Sequence, residues 1–311
     1  MPKKQKYHVR NWADYNKGLV NRGSITFWIN EDTIKEWYEP KESDSKRGRR
    51  KFYSDLAIET CAVMRVLYNL PYRRCQGFIE SLMVLLKIKL RVPSYTQMCR
   101  RQKGLEIKLK HKVNGPIHVA VDATGLKIFG EGEWKVRQHG YTKHRMWRKL
   151  HVGVDVISKE FVMVELTDNR IGESKMLETL LEQYKGELSV VAADKGYDSY
   201  ACHELVGKRG AVSAILPQRK AKVRKSLWDE GPPLIRDQIV RRMRSVGRKK
   251  WKEEVKYNKR SLVENAFSRF KTILGSKLRS HSLENQKIET LIGCNILNKF
   301  TSLGMPISSA I

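Results

Sequence analysis

Three acids in this sequence sit where a carboxylate could do chemistry. Asp122 follows the apolar run I-H-V-A-V, and Asp194 follows L-S-V-V-A-A and precedes K-G-Y-D. Glu264 is the one acid in K-Y-N-K-R-S-L-V-E-N-A-F-S-R-F-K, residues 256–271. Phosphodiester chemistry without a covalent intermediate favours two divalent ions roughly 3.5–4 Å apart, which clamp the attacking and leaving oxygens. Hard Mg²⁺ takes carboxylates and waters, so two or three acids must converge in an otherwise positive setting. The ends of neighbouring strands offer such a point. Against this stands a plainer account, in which an Asp after a strand forms a turn or caps a helix. Asp155, Asp168 and Asp198 compete, and Asp155 within a strand and Asp168 in a T-D-N turn suit structural roles better.

Glu264 has two readings. Ser261 lies three residues before it, so S-L-V-E fits a capping box that starts a helix at Ser261. At about 100° per residue, Leu262, Val263, Ala266, Phe267, Phe270, Ile273 and Leu274 fill an arc of about 140°. Tyr257, Arg260, Glu264 and Lys271 then share a stripe about 60° wide beside that arc, provided the helix runs unbroken from Tyr257. Such a stripe suits joint binding of a metal ion and phosphates. Spacing alone leaves both open.

The elements that must hold these residues follow from periodicity. From Ser54 the pattern is helical, with Ser54 as N-cap, a second helix opening at Pro71, and a third over V-P-S-Y-T-Q-M-C-R-R-Q-K capped by Ser94. The third helix ends in Arg100, Arg101 and Lys103, which suits a helix-turn-helix type DNA reader over about 54–104, or a plain bundle with a solvated basic face. From Pro116 the period becomes strand-like. A strand through Asp122, a hairpin across I-S-K, a helix over 174–184, a strand ending before Asp194, a helix over 199–207 and a strand over 211–217 describe a mixed α/β sheet. Residues 258–276 and 283–300 complete it as helices. This gives a helical domain over 1–114 and an α/β domain over 115–311.

Within the second domain, residues 218–260 carry 16 Lys and Arg against 5 Asp and Glu. The basic block, about 218–256, suits an arm laid on a polyanion with Trp228 and Trp251 free to stack on bases, or a flexible charged loop. The whole 311-residue chain has 61 Lys and Arg against 33 Asp and Glu, a formal net charge of +28, and 41% hydrophobic residues. It can bury real cores, and its charge calls for a polyanion such as nucleic acid. Cys61, Cys75, Cys99, Cys202 and Cys294 are scattered without C-x-x-C, against a disulfide framework or structural zinc. No signal peptide or membrane-spanning run is visible, which points to a cytoplasmic, nucleoid-associated protein. A G-x-S-x-G elbow and a nucleotide-binding P-loop are absent.

Taken together, these motifs resemble a known family. Y-N-K-R-S-L-V-E-N-A-F-S-R-F-K matches Y-x2-R-x3-E-x6-K, a signature of a group of bacterial insertion-sequence transposases of the DDE type. H-V-A-V-D-A-T-G-L-K and A-A-D-K-G-Y-D resemble that group's two aspartate motifs, in order, and G-E-G-E-W-K-V-R-Q-H-G at 130–140 is similar to the family as well. The resemblance implies an RNase H-like mixed sheet flanked by helices, with a helical N-terminal DNA-binding domain. It implies Asp122, Asp194 and Glu264 as the catalytic, metal-binding triad for Mg²⁺, with Mn²⁺ as the alternative. Tyr257, Arg260 and Lys271 would contact DNA phosphates, with further DNA contacts assigned to Trp134, Arg137, Arg100 and Arg101. The expected partners are double-stranded DNA, as element ends and target, and at least one second copy of the chain. A nuclease or resolvase on the same core, or a catalytically silent DNA-binding repressor, are the rival expectations.

Overall fold

The computed structural model describes residues 7–40, 51–113, 115–128, 147–224 and 231–310. Trp134, Arg137 and Trp228 lie outside them. Two compact units emerge, Met1–Ile107 with Asn295–Ile311, and Lys108–Cys294. The division therefore falls near residue 107, and the C-terminal residues group with the first unit instead of the second.

The first unit is mostly helical. Strand β1 (Tyr7–Val9) pairs antiparallel with the terminal strand Ser308–Ala310. Helices α1 (Trp12–Arg22) and α2 (Glu31–Lys35) precede a three-helix set, α3 (Asp55–Leu67), α4 (Tyr72–Leu85) and α5 (Tyr95–Gln102). Each of the three begins where its cap residue dictates. Ser54 Oγ accepts the Ala57 N–H at 3.0 Å, Pro71 stands at the α4 N-cap, and Ser94 with Gln97 forms a capping box. Ile58, Cys61 and Met64 of α3 meet Cys75, Ile79 and Met83 of α4 and Met98 of α5 in the core. Burial pushes the Cys61 thiol well up and Cys75 up to about 12, so both act as small apolar residues.

The second unit is built on a mixed sheet. Strands β2 (Ile117–Ile128), β3 (Trp147–Asp155) and β4 (Phe161–Asp168) form an antiparallel meander. Helix α6 (Leu177–Gln183) leads to β5 (Leu188–Ala193), and α7 (Tyr200–Lys208) leads to β6 (Val212–Ile215). Both later strands run parallel to β2, giving the order β4-β3-β2-β5-β6. A two-residue strand, β7 (Lys277–Leu278), pairs with the far end of β2. This is the arrangement expected of an RNase H-like core.

Side-chain alternation sets the two faces of the sheet. Ile117, Val119, Val121, Val191 and Ala193 join Leu177, Leu180, Leu181 and Val206 in one buried cluster on the α6–α7 side. The intervening residues of β2, among them Asp122 and Thr124, therefore point to the opposite face. That face is covered by α10 (Ser261–Ile273), which packs on β2 and β3 through Val263, Ala266, Phe267 and Phe270. A one-residue slip of β2 would bury both polar residues in the apolar cluster.

The basic block differs from both sequence expectations. Its described part folds into α8 (Ile235–Val246) and α9 (Arg248–Glu254), not an extended arm or open loop. Trp251 is 2% exposed and packs against Tyr257, so it is not free to stack on bases. The long α11 (Leu283–Leu303) closes the chain before the terminal strand β8 (Ser308–Ala310). Gly293 of α11 lets it approach α10, since a Cβ there would lie 2.9 Å from the Phe270 ring.

Candidate active site

Strand pairing brings the two aspartates together. The parallel register of β2 and β5 ends at Val121↔Ala193, so Asp122 and Asp194 are the next residues on each strand. Asp194 keeps extended backbone, φ −77° and ψ −178°, so the alternation continues through it toward the α10 face. The sequence places Asp122 near a strand end, but β2 runs on to Ile128 against β3. What ends beside Asp122 is the parallel pairing, and the next strand on that side, β7, begins only at Lys127. Residues 122–126 thus have a strand neighbour on one side only, and the acids occupy that opening.

Glu264 comes from α10, and the start of that helix shows whether it acts as a cap. The α-helix begins at Ser261, as a capping box would have it, yet no capping box forms. Ser261 Oγ donates to the Asn258 carbonyl at 3.0 Å, and Tyr257–Arg260 make a 3-10 turn leading directly into the helix. Lys256, with φ +53°, enters this turn in the left-handed region, a conformation that costs a β-carbon-bearing residue about 1–2 kcal/mol. The turn delivers Arg260 one helical turn ahead of Glu264. Arg260 Nη1 donates to Asp122 Oδ2 at 2.8 Å, and its Nη2 donates to Glu264 Oε1. One guanidinium therefore spans two acids 142 positions apart.

The other named residues of the helix lie close by. Lys271 Nζ donates to Thr124 Oγ1 at 2.6 Å, two residues along β2 from Asp122 and on the same face. Tyr257 is 7% exposed, with Lys252 Nζ 5.3 Å from its ring centroid. Burial raises its phenol pKa, Arg260 opposes the rise, and Asp194 and Asp122 add to it. Asp122 titrates high as well. Burial pushes it up, the Ala123 N–H and Arg260 pull it down, and Asp194 and Glu173 push it up again.

Glu173 is the residue that motif reasoning misses. It opens a 3-10 turn, Glu173–Met176, packed on the Lys195–Tyr197 turn. A Cβ built on Gly196 would lie 2.8 Å from Glu173 Oε2 and 2.9 Å from Asp194 Oδ1. The two carboxylates thus stand no more than about 6 Å apart, where like charges repel by roughly 3 kcal/mol at an effective dielectric near 20. The Gly196 N–H donates to Asp194 Oδ1 at 2.7 Å, and a side chain at 196 would make both carboxylates turn aside. Beneath them Tyr197 is fully buried, and its hydroxyl has no partner among the described residues. Burial, Glu173, Asp122 and Asp194 all raise its pKa, so it stays an O–H donor.

The three competing acids, Asp155, Asp168 and Asp198, are engaged in turn and ion-pair contacts. Asp155 Oδ2 accepts the Ser158 N–H at 2.7 Å in the β3–β4 turn, and Asp168 Oδ1 accepts that of Arg170 at 2.7 Å. The Asp198 side chain is fully buried and accepts Arg236 Nε and Nη2 at 2.7 and 2.9 Å, together with the Gln218 N–H at 2.8 Å. Burial alone would raise its pKa, but His203, Arg236 and the Gln218 N–H together hold it well below the usual carboxylate range. Helix α8 is thereby pinned to the turn that carries Asp194. Ser213, His203 and Asp198 line up as a nucleophile relay would, at 2.9 and 3.2 Å. All three side chains are buried and Asp198 is committed to Arg236, so the relay has no open face for a substrate.

Two predicted DNA contacts, Arg100 and Arg101, belong to the first unit, and they differ. Arg101 of α5 is tied to the Tyr53 carbonyl and Asp55. Arg100 is exposed, alongside Tyr95, Thr96, Gln97 and Lys103.

The donor set fits a hard divalent cation: Asp122, Asp194 and Glu173 lie in electrostatic reach of one another and of a phenol unpartnered among the described residues, and Arg260 ties Glu264 to Asp122. Among the described residues, no three of His, Cys, Asp and Glu are yet gathered to enclose an ion. The Arg260 guanidinium holds Asp122 and Glu264 in that state. No described helix is long and apolar enough to cross a membrane.

Comparison with known families agrees with this geometry. A family model described as a transposase DDE domain matches residues 114–299, and a second model of the same description matches residues 20–131. The first spans more than half of the chain and contains Asp122, Asp194 and Glu264. The family acts on DNA and uses divalent metal ions. The chain belongs to the DDE transposases.

Proposed function

We propose that this transposase binds the ends of an insertion sequence, cleaves phosphodiesters there and joins the freed 3′ ends to target DNA. The observation that supports the reading is that Asp122 and Asp194 follow the last paired residues of neighbouring parallel strands while Arg260 bonds both Asp122 and Glu264, with Lys271 on the same face. Asp122, Asp194 and Glu264 would hold Mg²⁺, with Mn²⁺ as substitute. Bound there, the ions would neutralise the scissile phosphate and lower the pKa of the attacking water or 3′ hydroxyl.

The chain's own groups account for the rest. Arg260 offers a planar fork and Lys271 a point charge, both suited to phosphate oxygens flanking the reacting bond. Tyr257, held by Trp251 and Lys252, stiffens the turn that presents Arg260. The absence of an accessible Ser–His relay among the described residues supports direct displacement without a protein–DNA ester. In the first unit, the exposed Arg100 face of α5 suits the reading of the element ends, with Arg101 holding that helix in place. Trp134 and Arg137 are proposed as further DNA contacts. Pairing two ends calls for at least two copies of the chain.

The test is to incubate purified protein with end-containing duplex and Mg²⁺, then with supercoiled target. Nicks at the element boundary followed by joined products are expected. Cutting without joining would favour a nuclease or resolvase, and binding without cutting a repressor.

A further inference from the structure

We propose that Glu173 is a fourth carboxylate of the active site, acting with Asp194 on the divalent cation bound there. The proposal rests on the reading of Asp194 as a metal ligand and adds to it a residue outside the three acid motifs.

Four observations support it. First, Glu173 Oε2 and Asp194 Oδ1 both lie within 3 Å of the position a Cβ on Gly196 would take, so the two carboxylates face one small space. Second, Glu173 is half-buried, yet among the described residues no Lys or Arg pairs with it. In a chain of net charge +28, a carboxylate beside another carboxylate with no cation is an unusual arrangement. A half-buried pair of like charges is kept only where something neutralises it. Third, the Tyr197 hydroxyl lies buried below the same acids without an acceptor among the described residues. It is a donor in place for a ligand oxygen that the protein itself does not provide. Fourth, the backbone accommodates the pair. The turns Glu173–Met176 and Lys195–Tyr197 pack together, and glycine at 196 leaves the space between the two carboxylates clear.

By contrast, Asp122 and Glu264 already share the Arg260 guanidinium. The Asp194–Glu173 side is the one whose charge awaits a cation. Both carboxylates offer hard oxygens, which suits Mg²⁺ or Mn²⁺ and not a soft metal.

The test uses full-length protein without DNA and follows Mn²⁺ uptake by electron paramagnetic resonance. Wild type, Glu173→Gln, Asp194→Asn and the exposed control Glu178→Gln are compared, each with its melting temperature in EDTA. Glu173→Gln should weaken Mn²⁺ binding at least about 10-fold, the scale seen when a site loses a supporting group. Its metal-free melting temperature should equal or exceed that of wild type, because the amide removes one of two repelling charges. Glu178→Gln should match wild type. Wild-type Mn²⁺ affinity in Glu173→Gln, alongside weakened binding in Asp194→Asn, would overturn the Glu173 assignment and leave the triad standing. Unchanged binding in both would overturn the triad as well. A markedly lower melting temperature of Glu173→Gln in EDTA would make Glu173 a structural residue and refute the proposal.

Discussion

The two sides of the acid cluster are held in opposite ways. On one side a single arginine, delivered by the 3-10 turn before α10, bonds Asp122 and Glu264 together. On the other, Asp194 and Glu173 face each other across Gly196 with no cation between them. The first side is electrostatically satisfied within the protein; the second carries unbalanced charge. A site of this kind is rigid where its geometry is set by side-chain bonds. It is receptive where only backbone turns restrain it, so cation and substrate have most to gain at the Asp194 side.

Rigidity on the receptive side must therefore come from outside the cluster, and Arg236 of α8 provides it through Asp198. Replacing Arg236 with Ala leaves Asp198 buried without its main partner, and a loss of about 3–5 kcal/mol in unfolding free energy is expected by urea titration. A loss below 1 kcal/mol would show that the Asp194 turn stands without α8. The next effect is kinetic. Gly196→Ala should leave end binding intact but slow cleavage by about 100-fold, since a methyl group displaces Glu173 and Asp194 by an ångström or so. Unchanged cleavage would mean that the space between the two carboxylates is not used. The smallest effect belongs to the satisfied side. Arg260→Ala should lower metal-free stability by about 2 kcal/mol, as charge-assisted bonds to two carboxylates are lost. An increase would instead mean that the burial cost of Arg260 exceeds its bonds.

Much of this was legible in the residues. Alternation in I-H-V-A-V-D-A-T sets Asp122 and Thr124 on one face, and the ordered acid motifs single out the three acids proposed as the triad. The N-caps at Ser54 and Ser94 mark helix starts the structure keeps. Other features were not legible, for physical reasons. Glu173 sits in a short turn without periodicity, and only the packing of two turns brings it to Asp194. The clue was its place just before a helix on the segment linking β4 to β5. Whether the helix began at Tyr257 or Ser261 could not follow from spacing, because a 3-10 turn merges with an α-helix without a break. Trp251 read as a stacking residue because charge surrounds it in sequence; in space it meets Tyr257 and is buried. The fold of the 218–256 block depends on Arg236 finding Asp198, a pairing across 38 residues that no local pattern announces.

The most direct test of the central claim, that these acids carry phosphodiester chemistry, is strand cleavage by Glu264→Gln. Wild type and variant are incubated with end-labelled duplex carrying the element boundary and Mg²⁺, and nicks and end binding are measured in parallel. The account predicts a fall in cleavage of roughly 10³-fold or more, several kcal/mol of transition-state stabilisation, with end binding largely unchanged. Cleavage at the wild-type rate by Glu264→Gln would contradict it.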